Sequence, residues 1–461
     1  MLRKREPYKR KTPAQFKCRE INEIYRQIEQ VGSGTYGRVF KAYHKDDPTQ
    51  IVALKKIETH REVQGFPITA LREISHLKKL KHPHVVELKE VVTSRPQPPS
   101  KRGSTFLVFE YLEHDLMGLI ARKIKFSVAQ IKCIMKQMLE GLAYIHSKNI
   151  IHRDLKTANI LLNNKGETKI CDFGLSRLPK PRSKPLTVRV MTLLYRAPEV
   201  LLGKKDYSEK ADIWSLGCIF AELYIGEVFF LAQNPVHLMD LIVQRVGTPE
   251  DPDYWPELDS LPYYKDVFPK RQYKANLRNY LYRKKASIDP AGLDLLEKLL
   301  EFNPEKRFSC IQALNHPYFK TEPLPCESKD MPKIEKECHE FNIRQEILKR
   351  KKKKQNELKR SGAAYRGVGP AGGPGSRFSR AGIAVFGKKK SNFNKYAPPG
   401  FRSNNGGGGA QGRFNGFGNG PRGNRFGGGR ARFPGTGFGN GGGGGKAPNG
   451  FNKISNFLNK R

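Results

Sequence analysis

Apolar and polar residues alternate through residues 25–58, where glycines and an Asp-Asp-Pro break separate the runs. This period of two predicts three antiparallel strands. From Pro67 to Leu80 the apolar residues lie three positions apart, which predicts a helix. Two further strand-like runs follow at 84–92 and 105–112, so this part of the chain is predicted to be a small sheet with one helix.

Helical spacing dominates the residues that follow. Residues 127–148 and 208–225 predict two long buried helices, and residues 332–358 predict a charged helix containing the basic run Lys349–Lys354. A small sheet followed by a mostly helical region is typical of an α+β protein with two lobes. No structure is predicted after Ser361.

Charge and glycine content divide the chain further. The net charge is +40, and residues 320–461 contribute 30 basic and 8 acidic side chains, against 46 and 33 in residues 25–319. Of the 44 glycines, 30 lie in residues 361–461, which therefore cannot bury enough apolar surface to offset their ordering entropy. We predict a basic extension (1–24), a folded domain (25–319), an extension with a basic helix (320–360) and a disordered Gly/Arg/Phe-rich tail (361–461).

Several protein classes are not expected. No run of about 18 apolar residues occurs, which argues against a membrane span. The charged N-terminus lacks the apolar region of a secretory signal. The seven cysteines include no C-x-x-C pair, so we expect reduced thiols in an intracellular protein rather than a zinc site.

The first chemical signal is the run Gly32-Ser33-Gly34-Thr35-Tyr36-Gly37 between the first two predicted strands. Glycines let the backbone N–H groups of such a turn approach a phosphate closely. A strand follows the glycines, whereas a dinucleotide site needs a helix there. A simple hairpin turn is the alternative.

The second signal pairs Lys55, on the third strand, with Glu73, which lies 18 residues further along on the predicted helix. A strand lysine is usually a solvated edge charge. An ion pair with a helix glutamate can instead aim its ammonium group at ATP phosphates.

The strongest signal is the run His152–Asn159, HRDLKTAN, followed by Asp172-Phe173-Gly174. Asp154 can accept the proton of an attacking hydroxyl, and Lys156 can neutralise the transferring γ-phosphate. Asn159 and Asp172 offer the oxygen ligands that Mg²⁺ prefers. Motifs in this order argue against a surface loop with random charges.

Ala197-Pro198-Glu199 closes this segment, and Arg307 is expected to be the buried partner of Glu199. Together, these motifs resemble those of the eukaryotic protein kinases over roughly residues 25–319, and HRDLK resembles the Ser/Thr kinases. The resemblance implies a two-lobed kinase fold with a small β-rich N-lobe (25–112) and a helical C-lobe (113–319). It also implies that the chain uses ATP and Mg²⁺.

Residues 65–73, GFPITALRE, resemble the cyclin-binding helix of the cyclin-dependent kinases in the form typical of the transcription-elongation class. The resemblance implies a cyclin that pushes this helix until Glu73 meets Lys55. A helix stabilised by its own caps and packing is the alternative.

The resemblance also assigns regulatory and specificity residues. Thr187 matches the phosphorylated threonine of the activation segment, and a phosphate there can bridge several guanidinium groups. The arginines that match this phosphate-binding cluster are Arg72, Arg153 and Arg177. Met191 and Arg196 match the positions that select proline after the target residue. In the family, the arginine engages a backbone carbonyl, and proline, which has no N–H, loses nothing.

For ATP, the resemblance assigns the back of the pocket to Phe109, the hinge to Glu110 and Leu112, and the ribose contact to Asp115. The other positions that it places around the nucleotide are Val31, Gly32, Gly34, Gly37, Val39, Ala53 and Lys55.

Residues 337–341, ECHEF, followed by the basic run, resemble the C-terminal extension of RNA polymerase II C-terminal-domain kinases of the cyclin K type. In that branch, a His-Glu pair folds back near ATP; a solvated polar helix is the alternative. Leu71 agrees instead with the PITALRE branch, so cyclin K and cyclin T both stay open as partners. Thr157 stands where cell-cycle members have proline, and Leu194 where the family usually has tryptophan.

The tail repeats Arg-Phe pairs, of which Arg413-Phe414 is one. Arginine and phenylalanine can contact phosphates and stack on bases, which predicts RNA binding. A solubilising or localisation segment is the alternative. The runs Lys349–Lys354 and Lys388–Lys390 suggest nuclear import.

We therefore predict a nuclear cyclin-dependent Ser/Thr kinase that phosphorylates Ser-Pro and Thr-Pro sites in the RNA polymerase II heptads and promotes transcription elongation. A cell-cycle kinase is one alternative, disfavoured by Thr157, Arg189 and the tail. An RNA-binding scaffold with an inactive kinase fold is another. It would predict damage at Lys55, Asp154 or Asp172, and all three residues are intact.

Overall fold

The structure is a computed structural model that describes residues 18–34, 37–58, 66–96, 103–178 and 191–364. The predicted tail after residue 364 lies outside these ranges, as do Thr35, Tyr36 and Thr187. Within the described residues, no helix combines the length and apolar character needed to cross a membrane.

The N-terminal lobe is a five-stranded antiparallel sheet in the order β1-β2-β3-β5-β4. Its elements are α1 (Ile21–Ile24), β1 (Tyr25–Gly34), β2 (Gly37–His44), β3 (Ile51–Ile57), α2 (Ile68–Leu77), β4 (Leu88–Thr93) and β5 (Thr105–Glu110).

Side-chain alternation gives this sheet two different faces. Val52 and Leu54 are fully buried in a small core that includes Val108 of β5. The intervening residues Ala53 and Lys55 therefore point to the opposite face, which α2 and the second lobe adjoin. Register pairs these two residues with Phe109 and Leu107 of β5, and with Lys41 and Val39 of β2.

The C-terminal lobe is mostly helical. Its elements are β6 (His114–Asp115), α3 (Leu116–Ala121), α4 (Val128–Ser147), β7 (Ile160–Leu162), β8 (Thr168–Ile170), α5 (Pro198–Leu201), α6 (Lys210–Ile225), α7 (Pro235–Val246), α8 (Tyr264–Val267), α9 (Leu277–Arg283), α10 (Pro290–Leu299), α11 (Cys310–Leu314) and α12 (Glu340–Ala364). A reciprocal capping box between Ser127 and Gln130 begins α4. Nearly every residue of α6 is buried, including Trp214, so this helix lies at the centre of the lobe. The α+β, two-lobed prediction is confirmed.

A buried ion pair links two distant parts of this lobe. The guanidinium of Arg307 donates to both carboxylate oxygens of Glu199, at 2.9 and 3.0 Å. Both side chains are almost completely buried. The predicted pairing is therefore confirmed, and it fixes the end of the Ala197-Pro198-Glu199 segment to the body of the lobe.

Two predicted elements begin too early. The strand expected at 84–92 begins at Leu88, because the N–H of Val86 donates instead to the carbonyl of Ile170 in the other lobe, at 3.0 Å. The helix expected at 332–358 begins at Glu340. Residues 332–339, before this helix, are not helical. Ile334 among them is held by the side chain of Asn164, which donates to its carbonyl and accepts from its N–H.

Candidate active site

Three charged residues meet between the sheet and the second lobe. The ammonium of Lys55 lies 2.7 and 3.0 Å from the carboxylate oxygens of Glu73 and 2.9 Å from Oδ1 of Asp172. Burial alone would lower the pKa of Lys55, but the two carboxylates outweigh it and raise the pKa. Burial likewise opposes ionisation of Asp172, and the neighbouring Lys55 and Lys156 lower its pKa instead. Lys55 and Asp172 are therefore charged at neutral pH, whereas burial raises the pKa of Glu73 despite the neighbouring Lys55.

The glycine-rich turn joins β1 to β2. A Cβ atom at Gly37 would lie 2.1 Å from the carbonyl oxygen of Lys56, so packing inside the sheet requires this glycine. At Gly34 a Cβ atom would meet no described atom within 4 Å. Packing therefore does not explain Gly34, whereas close approach of a ligand to the backbone would.

The predicted catalytic loop holds Asp154 in a fixed position. Lys156 Nζ lies 2.7 Å from Asp154 Oδ2, and the amide nitrogen of Asn159 lies 3.3 Å from the same oxygen. The other oxygen, Oδ1, accepts from the backbone N–H of Thr192 at 3.0 Å and from its hydroxyl at 2.8 Å. The sequence analysis did not single out Thr192. Its two hydrogen bonds connect Asp154 to the segment that would bind a peptide.

Asp212 binds the backbone of the same loop. Its carboxylate accepts from the backbone N–H groups of His152 and Arg153, at 2.8 and 2.9 Å, and pairs with His146 Nε2 at 3.0 Å. Burial would lower the pKa of His146, but the hydrogen bonds and charges of Asp212 and Cys310 together outweigh it and raise the pKa to about 10. Asp212 is fully buried on α6, and sequence reasoning missed it because it belongs to no recognised motif.

Arg153, one of the three predicted phosphate-binding arginines, adopts a left-handed backbone conformation with φ of 67°. Its guanidinium donates to the carbonyl of Leu175 at 2.8 Å and to the hydroxyl of Tyr207 at 3.0 Å. The backbone of Arg177 exchanges two hydrogen bonds with that of Ile151, which lies two residues before Arg153. Arg72 lies on α2, beside Glu73.

Met191 and Arg196 form the arrangement expected of a proline-selecting turn. Met191 has a φ of 73°, which is strained for a side chain of this size. Its carbonyl oxygen accepts from Arg196 Nη2 at 3.0 Å. That carbonyl is therefore already engaged by the chain itself.

Phe109 and Leu112 are buried where β5 leads into the second lobe, and Glu110 lies between them. Asp115 differs from its predicted surroundings. Its carboxylate accepts from the N–H of Gly118, at 2.7 Å, and from the N–H of Glu340, at 2.8 Å. The residue thus caps the first turns of α3 and α12, and contact with a ribose stays a prediction.

Comparison with known proteins identifies the family to which this site belongs. Residues 25–319 match the protein-family model of the protein kinase domain. The chain is 43% identical over 356 residues to Cyclin-dependent kinase C-1 of Oryza sativa subsp. japonica, a match that covers 75% of this chain and 66% of that relative. It is 41% identical over 356 residues to Cyclin-dependent kinase C-1 of Arabidopsis thaliana, covering 75% and 68%. The chain belongs to the cyclin-dependent protein kinases.

A solved structure supports the same assignment. The chain resembles one in the "Crystal Structure of the yeast RNA Pol II CTD kinase CTDK-1 complex" with a TM-score of 0.59 and 35% identity, covering 70% of this chain and 99% of that one. The chain spans only about two thirds of the length of the plant cyclin-dependent kinases named above.

The extension beyond the kinase domain returns to the junction between the lobes. Glu337 forms an ion pair with Lys41 of β2 and accepts from the hydroxyl of Tyr111 at 2.7 Å. His339 lies 3.2 Å from the same hydroxyl. The predicted alternative, a solvated helix throughout, is therefore wrong for these residues, although α12 beyond them carries the exposed basic run.

Thr157, which stands where cell-cycle members have proline, takes part in a buried network. Its hydroxyl lies 2.9 Å from that of Tyr195, which donates to Glu222 at 2.8 Å. Burial raises the pKa of Glu222 to about 7. The network joins the catalytic loop to α6, and a proline at Thr157 could not form it.

Proposed function

We propose that this chain is a cyclin-activated Ser/Thr protein kinase that transfers the γ-phosphate of ATP to Ser-Pro and Thr-Pro sites. The observation that carries the proposal is a pair of contacts, Lys156 with Asp154 and Lys55 with Asp172. Burial opposes ionisation of Asp172, and Lys156 is near enough to help Lys55 lower its pKa. A scaffold with an inactive kinase fold would not need these two ion pairs.

The residues divide the chemistry between them. Asp154 accepts the proton of the attacking hydroxyl, and the two hydrogen bonds from Thr192 orient its carboxylate toward the peptide segment. Lys156, in contact with Asp154, offsets the negative charge of the transferring phosphoryl group. Lys55, oriented by Glu73, binds the phosphates of ATP.

The residues present fit a nucleotide and a divalent metal. No described atom lies within 4 Å of a Cβ atom built at Gly34, so the described residues leave this backbone open to a phosphate. Val31, Val39, Ala53 and Phe109 would supply apolar surface for the base. Asn159 donates its amide N–H to Asp154, which leaves its oxygen as a ligand, and Asp172 supplies a second one. Two protein oxygens completed by phosphates and water suit Mg²⁺, which neutralises phosphate charge when bound.

The engaged carbonyl of Met191 supports selection of proline. We expect Arg196→Ala to lower the ratio of kcat/KM for a Ser-Pro peptide to that for its Ser-Ala counterpart by about 2- to 10-fold, the value of one hydrogen bond. The freed carbonyl would then accept the N–H that proline lacks. Steady-state assays with both peptides measure the ratio, Lys204→Ala is the control, and an unchanged ratio in Arg196→Ala would contradict this assignment.

Exposed apolar side chains on α2 support a cyclin partner. Ile68 is 67% exposed and Leu71 is 54% exposed, and Phe66 precedes them at the surface. An apolar surface on the helix that carries Glu73 suits a partner that controls the Lys55–Glu73 pair.

We expect the double variant Ile68→Glu/Leu71→Glu to co-purify at least about tenfold less cyclin than the wild type, because burying two carboxylates in an apolar interface is costly. Kinase activity should fall in parallel. Affinity purification with quantitative mass spectrometry measures the bound partner. Ile311→Glu on α11, 60% exposed in the wild type, is the matched control. Full cyclin recovery with the double variant would place the interface elsewhere.

Activation is proposed to require phosphorylation of Thr187, which Arg72, Arg153 and Arg177 would surround. A phosphate carries about two negative charges and would be shared by these three guanidinium groups. Phosphate mapping of the fully active enzyme tests this assignment, and an unmodified Thr187 would rule it out.

The proposed substrate is the heptad tail of RNA polymerase II, supported by the likeness to the yeast RNA Pol II CTD kinase complex. Nuclear localisation follows from that substrate, and the partner is a cyclin of the K or T type. RNA binding by the Arg/Phe-rich tail belongs to the same proposal. A cell-cycle kinase is the second candidate, and the network around Thr157 disfavours it.

A further inference from the structure

A basic surface lies on the C-terminal lobe, outside the kinase site. Residues 267–288 contain seven basic side chains and no acidic one. Six of these side chains are exposed: Lys270, Arg271, Lys274, Arg278, Arg283 and Lys285. We call these six residues, together with Tyr282, the α9 surface.

The α9 surface includes one strongly exposed aromatic ring. Tyr282 is 83% exposed, whereas Leu277 and Leu281 on the other face of α9 are buried. Arg278 lies one turn before Tyr282, on the same outer face. Tyr280 shows the contrasting case, since the guanidinium of Arg245 stacks on its ring at 4.2 Å. In the described part of the chain, no ring or cation stacks on Tyr282.

The charges of the α9 surface are not neutralised locally. The seventh basic residue, Lys284, pairs with Glu227. Among the described residues, no carboxylate lies within ion-pairing distance of the six exposed side chains. Burial raises the pKa of Glu297 and nearby Arg278 opposes that rise, but the two side chains form no ion pair. Such a concentration of one charge repels itself in the folded protein and attracts polyanions.

We propose that the α9 surface binds single-stranded nucleic acid, with the exposed basic side chains contacting phosphates and Tyr282 stacking on a base. Charge alone would also suit a phosphorylated peptide. The exposed ring favours nucleic acid, because a base offers a π-face to stack on and a phosphoserine peptide does not. The site lies outside the tail in the sequence and includes no residue of the kinase centre, so its binding does not depend on the proposed catalytic activity.

The test is photocrosslinking of the full-length chain to an oligouridine of about 12 nucleotides carrying 5-iodouridine, with the crosslinked peptides identified by mass spectrometry. We expect a crosslink within residues 267–288, at Tyr282. Tyr282→Ala and the double variant Arg278→Glu/Arg283→Glu should each lower its yield about fivefold or more, the loss expected from one stacked base. Lys136→Glu/Lys320→Glu, which reverses two exposed charges elsewhere on the lobe, should leave the yield unchanged.

Phosphorylation of a short Ser-Pro peptide should be unaffected in these variants, which shows that they fold. Crosslinks confined to other segments, including the tail, would overturn the proposal. It would also be overturned if a phosphopeptide displaced the oligouridine as effectively as unlabelled RNA does, because the surface would then recognise phosphate alone.

Discussion

Replacing Asp154 with asparagine is expected to lower kcat by roughly 100- to 10,000-fold, the usual contribution of a general base. An amide has nearly the same shape and can still accept from Thr192, so the fold and ATP affinity should be retained. The variant loses the proton acceptor and the negative charge that pairs with Lys156. Steady-state kinetics on a Ser-Pro peptide and ATP titration by calorimetry measure the two effects separately.

Glu257→Gln provides the control for the change from carboxylate to amide, since Glu257 is an exposed residue whose ion-pair partner is Lys204. Its kinetics should match those of the wild type. If Asp154→Asn retained near-normal kcat, the proton would be accepted elsewhere. If it lost ATP binding as well, Asp154 would be a structural residue.

Replacing Arg307 with alanine is expected to destabilise the kinase domain by about 3–5 kcal/mol, because the Glu199 carboxylate would remain buried without its partner. The corresponding fall in Tm is roughly 6–20 °C for a domain of this size. Thermal unfolding followed by circular dichroism measures it. Activity should be lost only where the variant unfolds, because neither residue touches Asp154.

Lys204→Ala removes an ion pair of similar length, 3.0 Å, in which the carboxylate of Glu257 is 65% exposed. Surface pairs of this kind contribute about 1 kcal/mol or less. We therefore expect only a small change in Tm for this variant. An Arg307→Ala protein as stable as Lys204→Ala would contradict a structural role for the buried pair.

Local patterns were sufficient to predict the two-lobed order of elements. They offered the Lys55–Glu73 contact as one of two alternatives, and the resemblance to kinases favoured it. Strand alternation sets the face of Lys55, and the helical period of α2 sets that of Glu73, so both are encoded within a few residues. Glu199 and Arg307 are 108 residues apart in the sequence, and their pairing was predicted through the resemblance to kinases.

Residues that act through tertiary contacts could not be found in this way. Asp212 and Thr192 reach the catalytic loop from other segments, and nothing in their neighbouring residues indicates a partner. Val85 and Val86 look like strand residues because β-branched side chains suit strands, yet the N–H of Val86 donates to the carbonyl of Ile170 in the second lobe. Asp115 was assigned to a ribose, which stays a prediction. Its hydrogen bond from the N–H of Glu340, 225 residues further along the chain, could not be predicted from local sequence.

The central claim is tested most directly by incubating the purified complex with ATP, Mg²⁺ and a synthetic polymerase heptad peptide, followed by mass-spectrometric mapping of phosphate. We predict phosphate on serines followed by proline, and none above background with the Asp154→Asn variant. Phosphate on residues without a following proline, or equal incorporation by Asp154→Asn, would contradict the account.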